Sequence, residues 1–222
     1  MQLFLVAICY IIAAPNITFV LLNNPPKIGH SENMKTNPAS DRFYFYVLLF
    51  FVTAFAGWLW EVLLFFFTEH AFINRGVYEG PYLPIYGAGG LLLCMLLSRL
   101  KKRPFLVFSL SLSICTVLEY LTSYFLEHRW GVRWWDYSGH FFNINGRVCL
   151  LGAVVFGLGG TALVCLFLPF YEKRFERITP GWRKAVCLFL LLVFIIDGAR
   201  CAMRPNTGVG ISFSSKDFSI FP

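Results

Sequence analysis

The chain has 222 residues, 57% of them hydrophobic and only 14% charged, where a soluble domain carries roughly 25% charged residues. That imbalance excludes an ordinary soluble core. The formal net charge of +7 does not point to nucleic acid, because the basic residues sit in short loops between apolar runs and form no single basic surface.

The first apolar run, residues 2–22, lacks a basic n-region, although Ala13-Ala14-Pro15 has the look of a cleavage site. It reads as an accessory helix kinked at Pro15, and the sequon Asn16-Ile17-Thr18 inside it would lie out of reach of a glycosylating enzyme. Residues 23–41 turn polar, with Pro25-Pro26 and Asn37-Pro38, and form the clearest linker in the chain. The body then offers apolar runs at 43–67, 83–97, 104–126, 148–170 and 185–202. A helix of about 20 apolar residues crosses a hydrocarbon core of ~30 Å. The expected fold is an all-α polytopic transmembrane helix bundle of about six helices, a five-helix core plus the N-terminal accessory helix. The expected organisation is an accessory helix and linker at 1–42, the bundle at 43–204 and a tail at 205–222.

Trp and Tyr gather near the ends of the runs, as interfacial belts do. Of the seven cysteines, Cys9, Cys94, Cys115, Cys165 and Cys187 lie inside apolar runs without a Cys-x-x-Cys pair, which favours inert buried thiols over a metal or disulfide framework. If all six runs span, twelve of the nineteen Lys and Arg residues fall on one side and seven on the other. The positive-inside rule makes the richer side cytoplasmic. Both termini and the two polar loops, residues 68–82 and 127–147, are then extracytoplasmic.

Ionisable groups inside spans are expensive and face a cavity or a partner, so they are the first functional candidates. Glu61 and Asp197 each lie about 9 Å below the outer boundary of their runs, and Glu119 about 12 Å, at 1.5 Å per residue. Glu119, Ser123 and Glu127 recur at i, i+4 and i+8, with Thr122 alongside, so one stripe of that helix is polar and should face the interior. Such groups could instead only glue helices together. Asp197 is followed by Arg200 and Arg204, which predicts a structural intrahelical ion pair.

The first outer loop carries Asn74-Arg75-Gly76, Glu79-Gly80-Pro81 and then Pro84-Ile85-Tyr86-Gly87 at the opening of the third run. Pro84 and the glycines should shorten that helix and leave backbone groups that can bind a ligand where they line a cavity. No nucleotide-binding glycine pattern is present. The second loop holds Trp134-Trp135-Asp136-Tyr137, suited to a segment lying on the membrane, and Asn145-Gly146-Arg147. Arg147 could pair with a submerged carboxylate, bind an anionic headgroup or serve as an interface anchor. Glu127, His128, Asp136 and His140 are conceivable metal ligands, but their spacing fits no zinc pattern, and neither Ser123 nor Ser138 sits in a nucleophile motif. No metal and no cofactor is expected.

Seven short motifs recur here in one order: Trp58-Leu59-Trp60-Glu61-Val62, Asn74-Arg75-Gly76, Gly80-Pro81, Pro84-Ile85-Tyr86-Gly87, Leu118-Glu119-Tyr120 with Thr122-Ser123 and Glu127, Trp134-Trp135-Asp136-Tyr137, and Asn145-Gly146-Arg147. Together they resemble the ABC-transporter permease family of the CmpB type, over residues 43–170. The resemblance implies a bacterial multi-pass membrane protein with a transport role. The chain has no Walker motif, so the ATPase would be a separate subunit. Membrane lipids are the other expected partner.

The expected function is a permease handling a solute or lipid through a polar cavity open to the extracytoplasmic side. The binding candidates are Glu61, Asn74, Arg75, Tyr86, Glu119, Ser123, Glu127, Asp136, Asn145 and Arg147. The alternatives are a membrane enzyme acting on a lipid or lipid-linked substrate, and a membrane scaffold without chemistry. A cysteine at Ser138 should react with a membrane-impermeant maleimide in intact cells, judged against the unsubstituted chain, and labelling only after lysis would invert the topology.

Overall fold

A computed structural model describes residues 38–208 and 210–214. The first apolar run and most of the polar segment after it lie outside these residues. The described chain is an all-α helix bundle: α1 (Pro38–Glu69), α2 (Pro84–Leu97) with a 3₁₀ turn at Ser98–Leu100, α3 (Pro104–Trp130), α4 (Leu150–Ala162), α5 (Leu168–Glu176) and α6 (Pro180–Met203). A π-helical turn, Leu163–Phe167, joins α4 to α5, so the two run on as one helix, Leu150–Glu176. Two-residue strands β1 (Val132–Arg133), β2 (Asn143–Ile144), β3 (Val148–Cys149) and β4 (Phe213–Ser214) pair β1 with β4 and β2 with β3, both antiparallel.

Proline sets several of the helix starts. Pro84, Pro104 and Pro180 open α2, α3 and α6, where the missing N–H is no loss and φ is already helical. At the other end, α3 stops at Gly131, whose φ of 70° is left-handed and whose N–H donates to the Glu127 carbonyl. The π turn has a local cause in Pro169. A proline cannot donate to the carbonyl four residues back, so the Leu168 N–H bonds one residue further away, to the Leu163 carbonyl, and the helix widens there.

Four helical stretches, Ala39–Glu69, Pro104–Trp130, Leu150–Glu176 and Pro180–Met203, are long and apolar enough to cross a membrane. Pro84–Leu100 is shorter, as the sequence around Pro84 predicts. Large apolar side chains such as Phe67, Leu158, Leu166 and Ile195 are exposed on the outside of the bundle, the arrangement that lipid as solvent requires.

Inside, α3 packs most extensively on α4, and α1 on α2. Both contacts depend on small residues that let backbones approach. A Cβ on Gly160 of α4 would fall 2.5 Å from the Ser111 side chain of α3, and one on Gly90 of α2 would lie 2.8 Å from Thr53 of α1. Apolar clusters fill the rest. Phe45, Leu49, Tyr171 and Phe175 meet at one level, and Phe50, Phe51, Tyr78, Tyr82 and Phe194 at another.

Three expectations change. α1 begins at Pro38, so the end of the presumed linker is already helix, with Asp41 in its first turn. Glu127 lies on α3 and not in the loop, because the apolar run is extended by another turn before Gly131. Trp134 is 2% exposed and points into the protein, so the second loop does not simply lie on the membrane.

The end of the bundle away from the long loops is tied by one buried ion pair. Arg183 Nη1 of α6 meets Asp41 Oδ1 of α1 at 3.1 Å, while Arg183 also donates to the Ile178 and Glu176 carbonyls and stacks over Phe175 at 4.2 Å. Arg183→Ala would leave Asp41 as an unpaired buried charge, which costs about 3 to 5 kcal/mol. The thermal midpoint of the purified protein should drop sharply, and the double change Asp41→Asn with Arg183→Met should recover most of the loss. Equal midpoints for Arg183→Ala and the native chain would remove this pair from the stability of the fold.

Candidate functional site

The opposite end gathers nearly all the remaining buried polar groups. The loop between α1 and α2 folds back along one stripe of α1, formed by Ala54, Trp58, Glu61 and Phe65 at helical spacing. The Leu83 N–H donates to the Ala54 carbonyl at 3.0 Å, and Trp58 Nε1 donates to Asn74 Oδ1 at 2.6 Å. Asn74 Nδ2 donates in turn to the Glu79 carbonyl at 2.7 Å, so Asn74 holds the loop in shape. Arg75 is thereby placed over the next turn of the stripe. Its guanidinium stacks on Phe65 at 4.1 Å, and its Nε faces Glu61 Oε2 at 3.8 Å.

Arg75 is 6% exposed and its other nitrogens go to backbone. Nη1 donates to the carbonyls of Gly210 and Ile211 at 2.7 and 3.1 Å, and Nη2 to the Trp134 carbonyl at 2.8 Å. Burial lowers its pKa, and the neighbouring Glu61 offsets only part of that. One side chain therefore joins α1, the second loop and the segment after α6. That segment is a strap. Asn206 donates to the carbonyls of Asn74 and Gly76, accepts from Trp134 Nε1 at 3.0 Å, and β4 pairs with β1.

Two acids lie beneath this lid. Glu61 Oε1 accepts from the Tyr86 hydroxyl of α2 at 2.7 Å, a contact that depends on Gly57, where any Cβ would run into the Tyr86 ring. Glu119 of α3 is 4% exposed, and its Oε1 accepts from the Tyr137 hydroxyl at 3.2 Å. Burial, with Glu119 and Glu61 adding to it, holds the Tyr137 hydroxyl far above its ordinary pKa, so it keeps the proton it donates to Glu119. Glu119 Oε2 has no hydrogen-bond partner among the described residues.

A second group sits one to two turns further along α3. Glu127 Oε2 receives Arg147 Nη2 at 2.6 Å and Arg133 Nε at 2.8 Å, and Arg147 Nη1 donates to Ser123 Oγ at 3.2 Å. Arg147 reaches inward because Asn145 and Gly146, at φ 52° and 66°, make the tight left-handed turn that Asn-Gly favours, closed by the Arg147 N–H on the Ile144 carbonyl. Asn145 Nδ2 donates to the Tyr120 hydroxyl at 3.0 Å, and its carbonyl accepts from Arg133. Asp136 Oδ1 accepts from the Ser138 N–H and hydroxyl and lies 3.8 Å from Arg133. Tyr120 and Tyr124 flank the Arg147 guanidinium at 5.8 and 5.5 Å.

The structure thus brings Glu61, Arg75, Tyr86 and Glu119 into one buried group, and Ser123, Glu127, Asp136, Asn145 and Arg147 into the group beside it. Asn74 stands apart as the brace of its loop. Arg147 meets Glu127, not the deeper Glu61 or Glu119, because the turn before it sets it against the outer turn of α3. Asp197 makes no intrahelical ion pair: it accepts from the Gly80 N–H at 2.9 Å, the Glu79 N–H at 3.3 Å and the Tyr82 hydroxyl at 2.5 Å, while Arg200 turns outward to Glu79 at 3.6 Å. Backbone donors freed by the Gly80-Pro81 bend outcompete a flexible exposed cation. Arg133, Tyr137 and Asn206 are the participants that sequence reasoning passes over. Arg133 and Asn206 carry no local signal, and Tyr137 is marked only by its place in the Trp134-Trp135-Asp136-Tyr137 motif.

Among the described residues no group of three His, Cys, Asp or Glu side chains could hold a metal ion. The family described as "Putative ABC-transporter type IV" matches this chain over residues 48–201, a stretch that includes all ten candidate residues and stops short of the strap. No curated protein and no solved structure matches.

A lysine at position 147 has one ammonium where arginine spans Glu127 and Ser123 with two nitrogens. Arg147→Lys should therefore lower stability by about 1 to 3 kcal/mol, read as the thermal midpoint of purified protein, and Arg147→Ala should do at least as much. A lysine variant indistinguishable from the native chain would reduce Arg147 to an interface anchor.

Proposed function

The chain belongs to the family described as putative ABC-transporter type IV, and from that premise we propose that it is the membrane component of a transport system that engages its cargo at the loop-bearing end of the bundle. The observation that carries this reading is the concentration of Glu61, Glu119, Glu127, Arg75 and Arg147 at one end of an otherwise apolar bundle, contributed by α1, α3 and both long loops. Ionisable groups at that depth are costly to keep, and a scaffold could use neutral residues in their place.

The charge bias between alternate loops supports an extracytoplasmic position for this end. ATP hydrolysis would then come from a separate subunit at the opposite end, where Arg99, Lys101, Lys102 and Arg103 lie between α2 and α3, and Arg174 and Arg177 at the end of α5. With the strap in place the acids are covered, so cargo access requires the strap or the loops under it to move.

One feature favours a lipid or lipid-linked cargo, and with it the alternative of a membrane enzyme. A groove of 320 Å³ beside the outer end of α6 has Val193 and Ile196 on its lipid-facing side and Glu79, Asp197 and Arg200 at its polar end. An amphipathic molecule would place its chain and headgroup in that order.

The test is complementation of whatever growth or uptake defect a deletion strain shows. Arg75→Ala and Glu61→Gln should each lower activity at least about tenfold, the equivalent of one charge-assisted hydrogen bond, at membrane levels matched to the native chain. Full complementation by both variants would leave only the scaffold reading.

A further inference from the structure

The two neighbouring polar groups do not balance in the same way. Around Glu127, two acids (Glu127, Asp136) face two arginines (Arg133, Arg147), joined by contacts of 2.6, 2.8 and 3.8 Å. In the deeper group Glu61 faces the one guanidinium, Arg75, while Glu119 lies within electrostatic reach of Glu61 and is bonded to Tyr137. That guanidinium directs Nη1 and Nη2 to three backbone carbonyls and only Nε towards Glu61, at 3.8 Å. If both acids carry charge, the deeper group holds one uncompensated negative charge inside a bundle whose outside faces lipid.

Among the described residues no cation pairs with Glu119. Glu61 comes from α1 and Tyr86 from α2, both within electrostatic reach, and Tyr137 comes from the second loop. On α3 itself Cys115 lies one turn below and Ser123 one turn above, the latter already accepting from Arg147. The strap supplies carbonyls, which are acceptors. Of the two Glu119 oxygens, Oε1 is engaged by Tyr137 and Oε2 is buried without a donor among the described residues. A carboxylate oxygen there has lost water and gained nothing, the situation in which a buried acid takes a proton.

We propose that the loop-bearing end of this bundle contains a proton-binding site, with Glu119 Oε2 as the atom that takes the proton and Glu61 left to pair with Arg75. A proton is the cation that needs no cavity, and Glu119, Thr122 and Ser123 are packed to 5% exposure or less. The pocket is then neutral when closed, and the proton can leave only when water or a cationic group reaches Glu119. The site is independent of what the protein carries.

The test uses the full chain purified into lipid nanodiscs and infrared spectroscopy in the carbonyl-stretch region of protonated carboxyl groups, near neutral pH, with hydrogen–deuterium exchange to identify the band. The native protein should show a deuterium-sensitive band equal to one carboxyl, lost completely in Glu119→Gln and unchanged in Glu172→Gln, whose carboxylate pairs with Lys101 at the other end. Tyr137→Phe removes the hydrogen bond to Oε1 and should move the band to higher frequency without loss of intensity. Should Glu119→Gln fail to fold, the native and Tyr137→Phe spectra decide alone. Absence of the band in the native protein, its survival in Glu119→Gln, or an unmoved band in Tyr137→Phe would each overturn the proposal, whatever the transport assays show.

Discussion

The loop-bearing end of the molecule depends on a buried arginine that has more donors than any one partner could use. Arg75 has its charge beside Glu61, its face on Phe65 and its remaining nitrogens on the carbonyls of Trp134, Gly210 and Ile211. In a medium with little water donors are satisfied internally; both Nη nitrogens are, while Nε has only its ionic contact with Glu61. The first loop, the second loop and the strap therefore take up their arrangement around one planar fork. Lysine could satisfy the charge but could not fix three segments at once.

The two ends of the bundle solve the same problem differently. At one, Arg183 and Asp41 form a short, nearly isolated pair that closes the start of α1 on the start of α6, with Phe175 beneath the guanidinium. Its partners are all accounted for, and it reads as structure. At the other, five acids and three arginines are spread over two loops and three helices, with one carboxylate oxygen left over among the described residues. Between them lies a middle held by glycine contacts and aromatic edges, with Ser111 fully buried opposite Gly160.

Much of this was legible from residue order. The five body runs became helices because run length and proline punctuation are local properties, and Glu61 and Glu119 stood out because an acid in an apolar run is a rare expense. What could not be read was which charge meets which. Arg133 reaches Glu127 only because the left-handed Gly131 doubles the chain back on α3, and Asn206 reaches Asn74 across more than 130 positions. Asp197 had two arginines within two turns and chose the backbone of a distant loop. Spacing along a helix predicts neighbours, whereas pairing is decided by loops whose path no periodicity records. Residues 205–208 and 210–214 show the same limit: no periodicity marks them, yet Asn206 and β4 tie them to both loops.

The position of that cover in the chain has a consequence for how the protein is made. Every other partner of Arg75 is synthesised before α6, while the carbonyls of Gly210 and Ile211 emerge only after it. During insertion the nascent bundle therefore holds a buried cation with unfilled donors and a second loop that lacks its β4 partner. Chains are built from the N-terminal end at about 5 to 20 residues per second, so the polar end lacks its cover until residues 210 and 211 arrive. A ribosome that stops early would release a bundle with all its helices and an unsealed, hydrated mouth, the kind of defect a membrane protease can recognise.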